Sequence, residues 1–354
     1  IQRIATGPEL SKNISRDEAK RSMSDILNGE IDPVQSAIFL IALRMKRETM
    51  DENLGVHDAI IESTTTVDTS CDSLINIADP YDGFSRNLPS SIFILPVIAE
   101  LGLPIVSHGV FSVGPKYGCT HHLILKELGY NSNNDHREIV ERLENKDIGW
   151  AYADQSMFNP KLHNLMSLRK QIIKRPVITT VEVLVKPVSS KNDMFFTGFV
   201  HKPYPPIYLE LSRNAMFNSA TVIRGTEGGI IPSLRQTGKV HFYQSADKEN
   251  NHYDVTPEDL GIVQSSRAVD IPEGIIRKNT KDKIESKVDA ADIARETTKL
   301  GLDALSGNDG AMLSCIQLGA AIILQRATGD DLSDCSKEVL RVLKSGAALK
   351  RMKR

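Results

Sequence analysis

The chain has 354 residues, 40% of them hydrophobic and 25% charged, with a formal net charge of −2. That is the composition of an ordinary globular protein with volume for a sizeable core, and the charge balance argues against a uniformly basic surface while permitting local patches. No apolar run of about 18 residues lacks charge, so no membrane span is expected. Residues 1–8 lack the apolar core of a signal peptide. The four cysteines, Cys71, Cys119, Cys315 and Cys335, match no zinc-site spacing, and their scarcity points to free thiols in a reducing cytoplasm.

Ser15-Arg16-Asp17-Glu18 is a capping box, in which Ser15 takes the orphan amide at the third helical position and Glu18 reaches back. Ala19, Met23, Ile26 and Leu27 then recur at helical spacing until Gly29 ends the helix. Asp32-Pro33 opens a second helix with proline at its first position. Its buried part is expected at Ile38, Leu40, Ile41 and Leu43, and Arg44, Lys46 and Arg47 close it. A third helix is expected over 49–62.

From Leu74 the texture changes to short apolar strands alternating with helices, which implies a parallel sheet covered on both faces. Strands are expected at 74–77, 104–106, 148–153, 177–186, 195–200 and 220–224, and helices at 89–101, 120–128, 135–145, 159–174 and 204–217. A polar hairpin is expected over 236–254 and closing helices at 289–300, 310–325 and 333–344, with no repeat, long linker or low-complexity segment.

Several segments, in order along nearly the whole chain, together resemble the anthranilate phosphoribosyltransferase family and, through it, the nucleoside phosphorylases of the same fold. Ile26-Leu27-Asn28-Gly29-Glu30 with Gln35-Ser36-Ala37-Ile38-Phe39-Leu40-Ile41-Ala42-Leu43-Arg44 resembles that family's first two helices. Leu101-Gly102-Leu103-Pro104-Ile105-Val106-Ser107-His108-Gly109 is similar to its strand leading into a Lys-His-Gly-Asn turn. Gln317-Leu318-Gly319-Ala320-Ala321 and Ser345-Gly346-Ala347-Ala348-Leu349 resemble its last two helices.

The resemblance implies an α/β fold: a small N-terminal all-helical domain and a larger α/β domain with a mostly parallel central sheet. It places the helical domain at 1–70, with a hinge helix at about 155–176 packing on it, and the α/β domain at 71–154 and 177–354. It also implies an active cleft between the two and a homodimer through the helical domain, for which the apolar residues 38–43 are suited. The alternative for those residues is intradomain core.

Three elements depart from the family's pattern. Family members hold phosphoribosyl diphosphate with a Gly-Thr-Gly-Gly-Asp loop, whose amides cradle phosphate oxygens because glycine lets the chain approach closely. The matching positions here are Asp79, Pro80, Tyr81, Asp82 and Gly83: one glycine, a proline without an amide donor, and two acids that would repel a diphosphate. In the second element, Lys-His-Gly-Asn-Arg followed by Ser-Ser-Lys, His108, Gly109 and Lys116 persist while Ser107, Val110, Phe111, Gly114 and Pro115 replace the rest. His108 reads either as a structural histidine donating to a backbone carbonyl or as a ligand contact.

The third element is the family's metal loop. Val222-Ile223-Arg224-Gly225-Thr226-Glu227-Gly228-Gly229 keeps its frame and Glu227 falls on its first acid, but Ile230 and Ile231 stand at the two metal-bearing acids. Mg²⁺ needs hard oxygen ligands at about 2.0–2.1 Å, which isoleucines cannot supply. No metal and no cofactor is therefore expected, Mg²⁺ with phosphoribosyl diphosphate returning only if transferase chemistry survives.

Arg169 and Arg175 match the two arginines at the end of the family's hinge helix, the second of which contacts the aromatic acid in family members. Such a fork suits carboxylate or phosphate; its alternative is a solvated helix face. The pattern of loss resembles a divergent second type of the family, similar to dimeric nucleic-acid-binding proteins that use the cleft as an anion groove. The anion-ligand set it implies is Tyr81, Asp82, Gly83, Ser107, His108, Gly109, Lys116, Arg169, Arg175, Gly225, Thr226 and Glu227. For single-stranded nucleic acid the implied contacts are Lys116, Arg169, Lys170, Lys174, Arg175, Arg224, Arg235 and Lys239, with Tyr81, Phe111 and Tyr117 as stacking groups. No catalytic residue is assigned. The competing expectation is a glycosyltransferase or phosphoribosyltransferase on an altered substrate, with Ser90, Ser91, Ser112 and Lys116 available for a donor phosphate.

Overall fold

Three N-terminal helices begin where side-chain caps satisfy their first amides. The computed structural model describes residues 1–7, 9–132, 134–275 and 286–354. Helix α1 (Arg16–Leu27) carries the Ser15/Glu18 capping box and buries Ala19, Met23, Ile26 and Leu27. Helix α2 (Pro33–Lys46) starts on the Asp32 side chain, and α3 (Met50–Ser63) on a second capping box, Thr49 with Glu52. The Glu52 carboxylate also takes the amide of Ile14 at 2.9 Å and pairs with Lys46 at 2.7 Å, tying the three helices together.

In α2 the buried face is Ser36, Phe39, Leu40, Ala42 and Leu43. Ile38 is exposed and Ile41 only half-buried, so the expected buried run at 38–43 turns out to be a two-sided helix. Val34, Ile38, Ile41 and Met45, spaced four, three and four residues apart, form an outward apolar stripe.

Among the described residues the central sheet has seven strands. These are β1 (Leu74–Ala78), β2 (Ile105–Gly109), β3 (Trp150–Asp154), β4 (Asp193–Gly198), β5 (Ser219–Ile223), β6 (Gly238–Tyr243) and β7 (Asn251–Val255). They lie in the order β7-β6-β5-β4-β1-β2-β3, with β1 to β5 parallel and β6 and β7 antiparallel at one edge.

Successive side chains on the parallel strands point to opposite faces, and both faces are covered, which is why these strands read as continuous apolar runs. Ile75, Ile77, Ile105, Trp150, Tyr152, Phe196 and Ile223 join a core built with α4 (Ile94–Glu100) and the closing helices α5 (Ala290–Leu305), α6 (Ala311–Thr328) and α7 (Leu332–Ser345). Leu74, Ala78, Val106, Ala151, Ala153, Phe195, Ala220 and Val222 join a second core with the N-terminal helices. Helix α6 is long and apolar enough to cross a membrane by composition, but it is the central core helix, most of it buried inside the protein.

Two expected elements differ. The segment 177–186, expected as a strand, forms a helical turn (Ile178–Val181), with the amide of Glu182 donating to Ile178 and that of Leu184 to Val181. Its β-branched residues are buried between the helical layer and the sheet, where packing outweighs strand propensity. Where a single helix is expected over 159–174, residues 155–172 hold three short ones, Gln155–Phe158, Pro160–His163 and Met166–Ile172, of which the last two fall in the expected range. Asn159 interrupts the first two because its side-chain oxygen caps the amide of Leu162 while its amide holds the end of α3 at the carbonyl of Ile60.

Candidate functional site

Strands β1, β2 and β3 step across the sheet in one direction, whereas β4 returns to the other side of β1. The loops after β1 and β4 therefore leave in opposite directions and open a crevice at their carboxyl ends, where ligands bind in open parallel sheets. A cleft of about 390 Å³ lies there. Its walls come from the loop after β1 (Pro80, Tyr81, Asp82, Arg86), the end of β4 with the turn after it (Thr197, Gly198, Phe199, Val200, His201), and the loop after β5 (Glu227, Gly228). The helical side contributes Arg44, Arg175, Thr179, Thr180 and Val183, with Tyr204 and Tyr208 from the helix Tyr204–Asn214.

Charge in the cleft is locally paired. Arg175 donates to one oxygen of Asp82 through two guanidinium nitrogens, at 2.6 and 3.1 Å, and Lys116 stands 3.5 Å from Asp82 and 3.4 Å from Glu227. The Glu227 carboxylate, only 2% exposed, accepts the amides of Ser85, Arg86 and Asn87 at 3.1, 2.8 and 2.9 Å. Arg86 itself is solvated, its guanidinium 3.6 Å from Glu227.

The loop carrying Glu227 is a tight fold. A Cβ on Gly225 would lie 1.7 Å from the carbonyl oxygen of Gly229, and Glu227 itself adopts a left-handed φ of 53°. Gly225→Ala is expected to prise the loop open and lower stability by about 1–3 kcal/mol, measured by urea denaturation; unchanged stability would contradict this packing.

Behind the cleft, a buried chain of polar side chains crosses the ends of β1 and β2. Ser107 donates to His121 Nδ1 at 2.7 Å, His121 Nε2 donates to Asp79 at 3.1 Å, and the Ser91 hydroxyl donates to the same carboxylate; the tautomer follows from these partners. The other Asp79 oxygen accepts the amide of Ile230 at 3.0 Å. Asp79 thus faces into the protein, contrary to an acid that repels a ligand from the cleft. Tyr81 donates to His108 Nδ1 at 2.5 Å, and burial, helped by the neighbouring His121, holds the His108 imidazole down to about 3. His108 stacks on Phe195, meets Phe158 edge-on and is buried, outside the residues that line the cleft.

The expected site residues thus scatter. Tyr81, Asp82, Lys116, Arg175 and Glu227 line the cleft, and Thr226 lines a smaller recess beside Ile230. Gly83 has φ +75° and a Cβ there would lie 2.5 Å from the carbonyl carbon of Gly118, and Ser107 and Gly109 are buried within β2. Arg169 departs most from expectation: its guanidinium makes a bidentate pair with Glu182 at 2.6 and 2.7 Å, both side chains 1% exposed. Lys170, Lys174 and Arg224 are exposed outside the lining; Arg235 donates to the carbonyl of Ser265, and Lys239 pairs with Asp254 across the β6–β7 hairpin. Phe111 packs edge-on to His122 and under Lys126, away from the cleft.

Sequence reasoning missed Arg44, Arg86, Phe199, His201, Tyr204 and Tyr208. Arg86 and His201 lie in connections to which no element was assigned, the others on elements read for fold alone, and the Tyr204/Tyr208 spacing of one helical turn was the available signal.

The resemblance drawn from the sequence implies a Mg²⁺-bound diphosphate here, with its two metal-bearing acids at positions 230 and 231. Ile230 and Ile231 are core side chains, 1% and 7% exposed, and Glu227 is committed to the 85–87 amides. Among the described residues no group of three or more His, Cys, Asp or Glu side chains is placed to hold a metal.

Among known proteins, the helical bundle domain of a glycosyl transferase family matches residues 1–64. An uncharacterized protein of Aquifex aeolicus (strain VF5) is 31% identical over 225 residues, which are 62% of this chain and 65% of that protein. The anthranilate phosphoribosyltransferase of Anaeromyxobacter sp. (strain K) is 27% identical over 355 residues, covering 100% of this chain and 96% of its own. In fold, the chain is similar to the anthranilate phosphoribosyltransferase from Saccharomyces cerevisiae solved in complex with PRPP and Mg, with a TM-score of 0.76, 14% identity, and 99% and 94% of the two chains covered.

Proposed function

Because the chain belongs to the anthranilate phosphoribosyltransferase-like glycosyl transferase family, we propose that it uses the crevice between its helical layer and its sheet to bind a compact anionic small molecule, as a transferase acting on an altered substrate. The observation that carries this is the cleft itself. Its volume of about 390 Å³ suits a small molecule, and both structural layers contribute to its walls. Arg44, Arg86 and Arg175 offer guanidinium groups for a carboxylate or phosphate, while Phe199, Tyr204 and Tyr208 offer aromatic surface. Asp82 pre-orients Arg175, whose side chain is 41% exposed, so a ligand anion meets a guanidinium already fixed in place. No step is routed through a diphosphate-bound Mg²⁺, since the residues at that loop do not supply its ligands.

Millimolar aromatic carboxylates and sugar phosphates, screened by thermal shift, are expected to include ligands that raise the melting temperature by several degrees, because binding to the native state alone stabilises it. Arg175→Ala should weaken the best of them by about 10- to 100-fold, the equivalent of a charge-assisted hydrogen bond. A second reading, single-stranded nucleic acid, is favoured by exposed Lys170, Lys174 and Arg175 grouped at the end of helix Met166–Ile172. It is weakened by the pairing of Arg169 and Lys116 with buried acids and of Lys239 with the exposed Asp254. If no small anion shifts the melting temperature while short single strands bind with steep salt dependence, the small-molecule reading fails and the second takes its place.

A homodimer through the helical layer belongs to the same proposal, supported by the Val34, Ile38, Ile41 and Met45 stripe. Ile38→Glu is expected to convert a dimer into a monomer in light scattering; a monomeric wild type would refute it.

A further inference from the structure

The surroundings of Glu227 are those of a bound anion. Besides the amides of Ser85, Arg86 and Asn87, its carboxylate takes the Ser85 hydroxyl at 3.3 Å and the Lys116 ammonium at 3.4 Å. The amide donors belong to the loop after β1, while the carboxylate arrives from the loop after β5. Three successive backbone N–H groups converging on one point form a concave anion receptor. The backbone at Glu227 is held left-handed, φ 53°, a conformation disfavoured for a residue with a Cβ, so the contact is maintained against local preference.

We infer that the 85–87 amides with Lys116 form an oxyanion receptor for a phosphate monoester, and that Glu227 is its resident internal competitor. The inference rests on the reading of the cleft as a small-anion site, since Glu227, Lys116 and Arg86 all line it. A phosphate brings three acceptor oxygens and a charge of about −1.5 to −2, against two oxygens and one charge on a carboxylate, so the same donors hold it more strongly. Its entry displaces Glu227 and frees the loop 226–228 that borders the cleft, linking occupancy of the receptor to the shape of the crevice. No covalent step is involved; one anion exchanges for another.

The test uses inorganic phosphate as probe, at fixed ionic strength, on the full chain. Glu227→Ala vacates the receptor, and Glu227→Gln keeps an acceptor while removing the charge. In calorimetric titration, phosphate is expected to bind Glu227→Ala at least tenfold more tightly than wild type, with a saturable rise in melting temperature, and Glu227→Gln to fall between. Adding Lys116→Met to Glu227→Ala should abolish the gain. If Glu227→Ala folds only when phosphate is supplied, that rescue supports the receptor. A phosphate response in both Glu227 variants no greater than in wild type overturns it. If those variants gain nothing while Arg175-dependent ligand binding persists in wild type, the receptor alone fails. If they gain phosphate affinity while no small anion binds wild type through Arg175, the cleft reading alone fails.

Discussion

Arg169→Ala is expected to lower stability by about 3–5 kcal/mol, the loss measured when one partner of a buried ion pair is removed. Arg169 and Glu182 face each other in a bidentate pair at 2.6 and 2.7 Å, each side chain 1% exposed. Removing the guanidinium leaves the Glu182 carboxylate without a counter-charge beside Tyr81, in a region walled by Val177, Ile178 and Val181. The physical claim is that an unpaired buried charge, rather than lost attraction, drives the effect. Arg169→Met with Glu182→Met should therefore recover most of the stability, because well-packed apolar pairs often replace buried ion pairs without loss. Urea denaturation of the two variants tests this, and a double variant as unstable as Arg169→Ala would count against it. If Arg169 instead served the ligand, the single variant would lose binding at unchanged stability.

The second large effect is a fall in stability as the pH drops below about 6.5. His57 is fully buried, with Nε2 donating to the carbonyl of Leu184 at 2.7 Å and Nδ1 accepting from Asn214 at 3.2 Å. Both nitrogens are thus satisfied in the neutral ring, and a second proton would face the Asn214 amide. Burial holds its pKa down to about 4, and that of His108 to about 3, against about 6.5 for a free histidine. The unfolded chain takes up protons first, so the stability these groups contribute is complete above pH 6.5. It is lost progressively as pH falls toward 4 for His57 and toward 3 for His108.

By pH 5, above the range where most carboxylates titrate, the expected loss is about 2 kcal/mol per histidine. His57→Gln, whose side-chain amide can still donate to Leu184, should remove its share of the slope. Stability constant between pH 7 and 5 in the wild type would show that these rings are not buried neutral.

Much of the fold was legible in the chain because it is written in local chemistry. The Ser15/Glu18 box and Asp32-Pro33 name helix starts without reference to anything distant, and the fully buried strands β1 to β4 read as apolar runs bounded by turns. The failures occurred where packing outvoted local preference. Val177 to Val183 looks like a strand by propensity, but between the helical layer and the sheet it coils. Ile38 looks like core by its neighbours, but α2 turns it outward.

The candidate site divides in the same way. The order of residues specified which groups were at hand: Ile230 and Ile231 in place of acids, Pro80 in place of an amide donor, and arginines at 169 and 175. What each one faces was settled only when the chain packed in three dimensions. Packing buried Arg169 on Glu182 and left Arg175 at the cleft, only six residues away in sequence. It also turned Asp79 inward to His121 and brought Glu227 across 140 residues of chain onto the amide of Asn87. The reason is that a side chain's type is a property of the residue, whereas its partner depends on burial and direction. Those are set by strands and loops distant in sequence that meet at the carboxyl end of the sheet.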